Sequence, residues 1–494
     1  MRQGILAVVL AAALVATTSW TAPAASGLAE TVEVDVLVVG GTPGGVAAAI
    51  AAAREGASVL LAEARPRLGG VLTDAWLTTF DVSIGADGQH LVRGIFLEQF
   101  RRLGISFDRG SAARVFGQAV MREPGLRTMT QAPVARVLTD GVRIAAVEFA
   151  DQRWHRTIRV QAHEVIDATD DGDIAAAAGA PYVIGRPGYR DGDRWMQAAT
   201  LIFRLAGVNW HDTASDILWR LQEGANVAHW GVNGPAAWGY PEQAAAYEPA
   251  HPLIFLNPLN LALERDGSVL VNALNITGVN GLDRESVDAG MTAARSELPR
   301  LVAYLRERIA GFEDARLAGH APELYIRETR HVEGLYTLTS DDILNSRIFE
   351  DRVAIAAYPI DIHPYFVGWV NPFPREAIPY TIPFGALVPA DTDNLLMASR
   401  AFSATSEAHG SARVVPTVMA LGQAAGVAAA LGTRLGRTPR EIAESPMLMW
   451  TLQGGLIAQG ANLDVGLGGV DAHRDLRRGE RGRVLRRLSG AGRP

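Results

Sequence analysis

Lysine and cysteine are both missing from the 494 residues, so all 46 basic side chains are arginine. Without lysine there is no Schiff base and no P-loop ammonium. Without cysteine there is no redox dithiol, thiolate nucleophile, iron–sulfur cluster, thiolate zinc site or cysteinyl-linked cofactor. Redox chemistry in this chain must therefore come from a bound cofactor. His211, His229 and His331 show neither His-x-x-x-His nor His-Glu-x-x-His spacing, so no metal site is expected. The apolar run from Ile5 to Ala16 is too short to span a bilayer, and no stable membrane span is expected.

That run follows Met1-Arg2-Gln3 and precedes Ala22-Pro23-Ala24, the order of a secretory signal peptide. Residues 1–29 are therefore set aside from the fold, and the mature chain is expected to be secreted, periplasmic or held in the cell envelope. Arg2 has no arginine neighbour, so a twin-arginine signal is not evident and cofactor would be acquired after export. Net charge is −7, yet Asp471 to Pro494 carries eight Arg against three acids, which leaves the body mildly acidic. Such a body offers no footprint for nucleic acid, and the tail reads as a solvated extension or surface helix. With 48% hydrophobic and 20% charged residues, the chain is an ordinary soluble protein long enough for two or three domains.

The first segment that carries chemistry begins at Val32. The β-branched run to Val39 ends in Gly40-Gly41-Thr42-Pro43-Gly44-Gly45, followed by an alanine-rich stretch to Arg54, a stop at Gly56 and a second apolar run, Ser58 to Glu63. This is a βαβ unit in which Gly40, Thr42 and Gly45 stand at the three glycine places of the dinucleotide fingerprint. Thr42 replaces the middle glycine, and its hydroxyl could donate to a phosphate oxygen. Glu63 is placed to accept from ribose hydroxyls. Arg65 and the doublet Gly69-Gly70, leading into Val71-Leu72-Thr73, supply a second approach of backbone to phosphate that NAD folds do not need.

From here the sequence resembles the FAD-dependent oxidoreductases of the glutathione-reductase-like flavoprotein class, in particular the bacterial family that includes proteins described as xanthan lyases. Four more segments carry the resemblance: Val165 to Asp173, Arg327-Glu328-Thr329-Arg330, Tyr358 to His363, and Asn394 to Arg400. It implies an α/β fold, with a Rossmann-like FAD-binding domain whose parallel sheet is crossed by an antiparallel meander, plus an inserted α+β substrate domain. The expected segments are 30–184 and 375–445 for FAD binding, 185–374 for substrate and 446–494 as an extension. Val134 to Val160 alternates as a meander should, and Val165 to Ala168 reads as a separate short buried strand that rejoins the sheet.

The resemblance implies FAD contacts at Gly40, Gly41, Thr42, Pro43, Gly44, Gly45, Glu63, Ala64, Arg65, Gly69, Gly70, Val71 and Thr73. Further contacts are implied at Val134, which would face adenine, and at Ala168, Thr169, Asp170, Ser399 and Arg400, with Ser399 standing where glycine is expected. Val414 to Ala430 reads as a helix with Pro416 in its first turn. Its positive end would face the N1 and C2 oxygen edge of a reduced flavin, with Gly410, Ser411, Arg413 and Val414 at that edge.

Between 185 and 374, Trp195, Trp210, Trp219, Trp230, Trp238 and Trp369 accompany many Tyr, Asn and Pro residues. Such loops suit a sugar, polyol or glycoside, whose carbinol C–H would pass as hydride to flavin N5 while a base takes the hydroxyl proton. His363 and His409 are the candidate bases. Glu328 and Arg330 are expected as an internal ion pair. A flavin-dependent lyase without net redox change and a structural FAD-binding protein are the alternatives. Substrate and electron acceptor are left open.

Overall fold

The computed structural model describes residues 30–464 apart from 86, 188–193, 375 and 377–378, so the segment expected to be a signal peptide and the arginine-rich tail lie outside the described residues. β1 (Glu30–Val39) leads into α1 (Pro43–Arg54) and β2 (Val59–Ala62). Thr42 starts the helix: its backbone is extended and its side chain accepts from Gly45 N, while Pro43 fills the first-turn position where a missing N–H costs nothing. β3 (Leu126–Met129), β4 (Val134–Asp140), β5 (Arg143–Asp151) and β6 (Arg156–Asp167) complete a sheet in the order β3-β2-β1-β6-β5-β4, and the strand Leu395–Met397 also pairs with β6.

β6 holds this sheet together. One edge lies parallel to β1 from Ile158 to Asp167, while the other runs antiparallel to β5 over Arg156–Val160 and then parallel to Leu395–Met397 over Val165–Asp167. Sequence reading treats Val165 to Ala168 as a separate strand rejoining the sheet. In the structure they finish one twelve-residue strand, because no turn residue interrupts Arg156–Asp167.

The Val415–Leu435 helix packs on α1 along a seam of small residues. A Cβ built on Gly44 would lie 2.0 Å from Ala398 O, one on Gly422 2.0 Å from Gly44 O, and one on Gly426 2.1 Å from Ala48 O. No side chain fits there, so backbone meets backbone, and the alanines around the glycines are fully buried. Among the described residues this helix alone is long and apolar enough to cross a membrane, and it is buried in the core.

A second core forms between Ala199 and Leu324 around a six-stranded sheet. Its strand order is Gly231–Asn233, Ala236–Gly239, Ile254–Leu263, Val269–Ile276, Ala199–Ala206 and Arg316–His320, all antiparallel, with the Arg284–Arg308 helix packed on it. Two boundaries shift accordingly. Residues 330–374, assigned from sequence to the inserted segment, send Val332, Leu338, Ile343, Ala356 and Ile362 into the first core. The Pro446–Ala458 helix, assigned to an extension, buries Met449, Leu452 and Leu456 in the same core.

Candidate active site

Gly40 leaves β1 at φ +107°, and a Cβ there would meet Ala168 O at 2.4 Å. Gly45 is tighter still, with Gly40 O at 1.9 Å from the position of a Cβ. Both glycines are thus required by contact with backbone. Thr42 Oγ1 donates to Ala168 O at 2.9 Å while accepting from Gly45 N at 3.2 Å. Its hydroxyl proton is spent inside the fold, which corrects the expectation that it donates to phosphate. Thr42 buttresses the loop instead.

Glu63, 5% exposed, accepts from Gly41 N at 2.6 Å and from Arg65 N at 2.7 Å. Burial raises its carboxyl above the usual range despite those two donors. The doublet Gly69 (φ +122°) and Gly70 (φ +47°) crosses directly over this loop, where a Cβ on Gly70 would lie 3.3 Å from Thr42 Cγ2. Ala64 and Val71 flank this corner, and Thr73 turns its hydroxyl to Leu68 O. Arg65 pairs with Glu323 and, at 3.5 Å, with Asp74.

On the opposite side of β1, Ala168 O takes the Thr42 hydroxyl and Thr169 folds back on Asp167. Asp170 lies 3.5 Å from Arg400, whose other nitrogen donates to Asp171 at 2.7 Å. Ser399 is fully buried, its oxygen accepting from Ala401 N at 3.3 Å. Val134 opens β4 beside Ala132, whose N–H donates to Glu63 O. The residues expected on either side of a dinucleotide thus converge on one rim.

The foot of the Val415–Leu435 helix carries a second group. Arg413, 9% exposed, donates through Nη1 to the Tyr325 hydroxyl at 2.8 Å, and its Nη2 lies 3.5 Å from Asp361 Oδ2. Asp361 Oδ2 also lies 3.4 Å from His363 Nε2, whose ring presents Nδ1 to Asn257 Nδ2 at 3.2 Å. Arg327 stacks over the Tyr325 ring at 4.4 Å and anchors on Ala198 O and Thr200 Oγ1, both at 2.7 Å. Gln197 Oε1 accepts from His363 N at 3.0 Å. The site therefore draws on both cores.

These neighbours separate the ionisations. Burial pushes Arg327 down to about 10. Burial would raise Asp361, but His363, Arg413 and Arg327 outweigh it and hold the carboxyl well below the usual range. Burial, reinforced by the positive charge of Arg327, pushes His363 down to about 4, so its ring is neutral at pH 7. Asp81 goes the other way: burial first, then the negative charge of Asp361, pushes it up to about 6, although Tyr358, Arg413 and Arg327 favour its charged form. Tyr358, beside both carboxylates, is raised well above 10 by burial and then by their charge. Asp81, though crowded by these groups, keeps a solvent-accessible side.

Two expectations about this edge change. Ser411 donates to Tyr358 O at 2.6 Å and pairs with the Tyr380 hydroxyl at 2.8 Å, so its oxygen holds the Tyr358 segment and is not free for a cofactor. Gly410 lets the same segment approach, since a Cβ there would meet Asp361 O at 3.1 Å. His409 is 1% exposed, edge-on to His331 with ring centroids 4.8 Å apart, and held neutral by burial and by His331, Arg413 and Arg400. Sealed in this way it cannot reach a substrate, and it is not the base.

Glu328 is buried and pairs with His331 Nε2 at 2.9 Å rather than with Arg330, which instead bonds Asp171 O and Asp173. Glu328, His331 and His409 place metal-capable atoms within 4.8 Å of one another, a grouping that spacing in the sequence does not reveal. Glu328 already accepts from His331 and Gln197 N, and the Arg400 and Arg413 charges bear on His409. The arrangement is that of a buried hydrogen-bonded pair.

Asp81, Asp361, Tyr325, Tyr358, Arg327 and Asn257 are absent from the residues singled out by sequence as site members. Asp361, Tyr358 and Arg327 lie in segments that carry the family resemblance, and Asp361 precedes His363 by two residues. Asp81 follows Phe80 in a segment without periodicity, and nothing in the sequence marks it.

A parallel sheet with a glycine-rich βα turn, an antiparallel meander and a second antiparallel layer defines a Rossmann-like dinucleotide-binding α/β protein. The sequence profile described as FAD dependent oxidoreductase matches residues 35–454, and the chain belongs to that family. It is an FAD-dependent oxidoreductase. A comparison with curated proteins finds no match. Among solved structures the chain is similar to a geranylgeranyl bacteriochlorophyll reductase-like protein from Thermoplasma acidophilum, at 13% identity and TM-score 0.41 over 87% of this chain and 85% of that one. It is also similar to the flavin-dependent brominase Bmp2, at 11% identity and TM-score 0.44 over 86% and 83%. The myxobacterial chondrochloren halogenase CndH shares 16% identity at TM-score 0.37 over 62% and 66%.

The residues present fit FAD. The close-packed glycines leave only the Pro43 ring and Val46 as side chains in the first turn of α1, Glu63 keeps a lone pair on each oxygen beside that turn, and no acid occupies the first turn of either α1 or the Val415–Leu435 helix. Two helix N-termini therefore present partial positive charge to an anionic ligand.

Proposed function

We propose that the protein oxidises a hydroxyl-bearing small molecule of the sugar, polyol or glycoside class. FAD, when bound, supplies the acceptor for the hydride. The chain supplies the proton acceptor and the fixed charges around it. The observation that carries this reading is the pair of carboxylates, Asp81 and Asp361, set against Arg413 at the foot of the Val415–Leu435 helix.

Their environments give them separate duties. Asp361 stays ionised, holding Arg413 and accepting from the His363 ring. His363 is neutral and fully engaged: Nε2–H faces Asp361 while Nδ1 accepts from Asn257. It orients the cluster, and the proton-accepting role assigned to it from sequence passes to Asp81. The Asp81 carboxyl, pushed up to about 6, is still largely ionised at pH 7, and the residue keeps an exposed side from which a proton can be accepted. It takes the hydroxyl proton at a carboxylate oxygen, and Tyr358, beside it, steadies the carboxylate.

Anaerobic mixing with a panel of sugars and polyols tests this. Lasting bleaching of the flavin band with formation of a carbonyl product supports the oxidation. Product without bleaching supports a lyase, and the absence of both across the panel counts against the reading. Export to the envelope is part of the same proposal, tested by the mass of the mature chain recovered from outside the cytoplasm.

A further inference from the structure

Among the described residues only two arginines are buried, Arg413 at 9% exposure and Arg327 at 3%. Arg413 has a counter-ion in Asp361. Arg327 makes no ion pair among the described residues, and Nη1 spends its hydrogen bonds on two neutral acceptors, Ala198 O and Thr200 Oγ1. Its Nε is buried with no partner at all. Burial lowers this guanidinium to about 10, which leaves it charged at pH 7. A buried charge without an opposite charge is destabilising, so a chain that keeps one has a use for it outside packing.

Arg327 stands in the wall of the site. Its guanidinium lies over the Tyr325 ring at 4.4 Å, and the hydroxyl of that ring accepts from Arg413 Nη1 at 2.8 Å. The Tyr325 hydroxyl proton has no acceptor among the described residues, so donors without acceptors gather around one half-buried ring. Neither carboxylate of the site is the missing counter-ion. Asp361 is shared between Arg413 and the His363 ring. Asp81 feels both arginines but pairs with neither, and it loses its charge once it holds the substrate's proton. One positive charge is then left over. A singly charged carboxylate matches it, and a planar guanidinium is the group best shaped to receive a carboxylate. A phosphate ester would bring close to two negative charges beside the permanent charge of Asp361.

We infer that the substrate carries a carboxylate, received by Arg327 and the Tyr325 hydroxyl, and that the molecule oxidised is therefore a sugar acid or a related hydroxy acid. The inference rests on reading the site as one that oxidises an alcohol. The carboxylate is unchanged by the reaction: the carbinol carbon gives up a hydride to FAD, its hydroxyl gives up a proton to Asp81, and a carbonyl results.

The test compares glucuronate, galacturonate and gluconate, each against its own neutral amide and all against glucose 6-phosphate. Binding is read as a rise in the thermal unfolding midpoint, which needs no turnover. Bleaching of the flavin band is read separately under anaerobic conditions. At least one acid should raise the midpoint, with its amide binding about thirtyfold or more weakly, as expected when one partner of a buried charged pair is removed. Arg327→Gln should weaken that acid by a similar factor and leave the amide where it was, and Arg327→Lys, which keeps the charge, should recover part of the loss. Should Arg327→Gln fail to fold, the comparison of acid with amide on the parent decides alone. Acids and amides that bind alike overturn the inference, as does a panel in which no acid binds, a preference for glucose 6-phosphate, or an Arg327→Gln protein with the parent's affinity for the acid. Loss of yellow colour in Arg327→Gln, with acid and amide indistinguishable on the parent, would assign the guanidinium to FAD instead. Selective acid binding without bleaching or product upholds the carboxylate and counts against the oxidation. Bleaching by amides as readily as by acids upholds the oxidation and overturns the carboxylate.

Discussion

Replacing Gly422 with valine tests the seam between α1 and the Val415–Leu435 helix. The new Cβ would lie 2.0 Å from Gly44 O and 2.9 Å from Gly44 Cα, where ordinary contact begins at 3.4 Å, so the helices must part by about 1.4 Å. Valine adds two further methyl groups beyond that. Parting at Gly422 also opens the Gly426 to Ala48 contact one turn on. A gap of this size forfeits much of the dispersion along an alanine-lined face that has no side chains to refill it. We expect a cost of about 3–5 kcal/mol, a large part of the stability of an ordinary protein. The same displacement moves the start of α1 relative to the foot of its partner helix, so FAD affinity should fall with stability. Urea unfolding and the flavin absorbance of the purified variant read both effects. Gly454→Val is the control, because that glycine is exposed with no atom within 4 Å of its Cβ. A Gly422→Val protein with the parent's midpoint and full yellow colour would refute the reasoning.

The active-site cluster yields the remaining predictions. The pH profile of kcat/KM should rise with pH through about 6 as Asp81 loses its proton, and Asp81→Asn should remove that limb together with most of the turnover. Asp361→Asn removes the negative charge that raises Asp81, so the limb should move to lower pH in that variant. His363→Ala should keep the yellow colour and lose turnover, since the ring touches Asp361 and Asn257 and lies outside the glycine-rich rim; full activity on a true substrate would remove His363 from the site. Thr42→Ala loses the helix cap and the bond to Ala168 O, costing about 1 kcal/mol in unfolding and weakening FAD retention.

How much of this was legible in the sequence depends on how local each cause is. The β1-α1-β2 unit is written in adjacent residues: a β-branched run, a glycine turn capped by Thr42 and an alanine helix. The meander is equally readable, because Thr139-Asp140-Gly141 and the residues after Asp151 mark its turns. The continuity of β6 is not, since only its two sets of partners show that one strand serves both halves of the sheet. The packing of residues 330–374 with the first core depends on contacts across the fold, and composition alone placed them with the aromatic-rich insertion. At the site, local motifs brought out Arg413 and His363. The hydroxyl of Ser411 and the ring of His409 turn away from the expected edge because tertiary neighbours claim them: Tyr358 O and Tyr380 for one, His331 for the other. Asp81 became visible only through its long-range neighbours, Asp361, Tyr358 and Arg413.

The absorption spectrum of the purified protein, recorded before and after adding FAD, tests the account most directly. It should show a tightly held flavin or take one up in equal proportion, and Gly45→Val, whose Cβ would sit 1.9 Å from Gly40 O, should stay folded enough to purify yet remain colourless. A well-folded parent chain that binds no FAD at any concentration would contradict it.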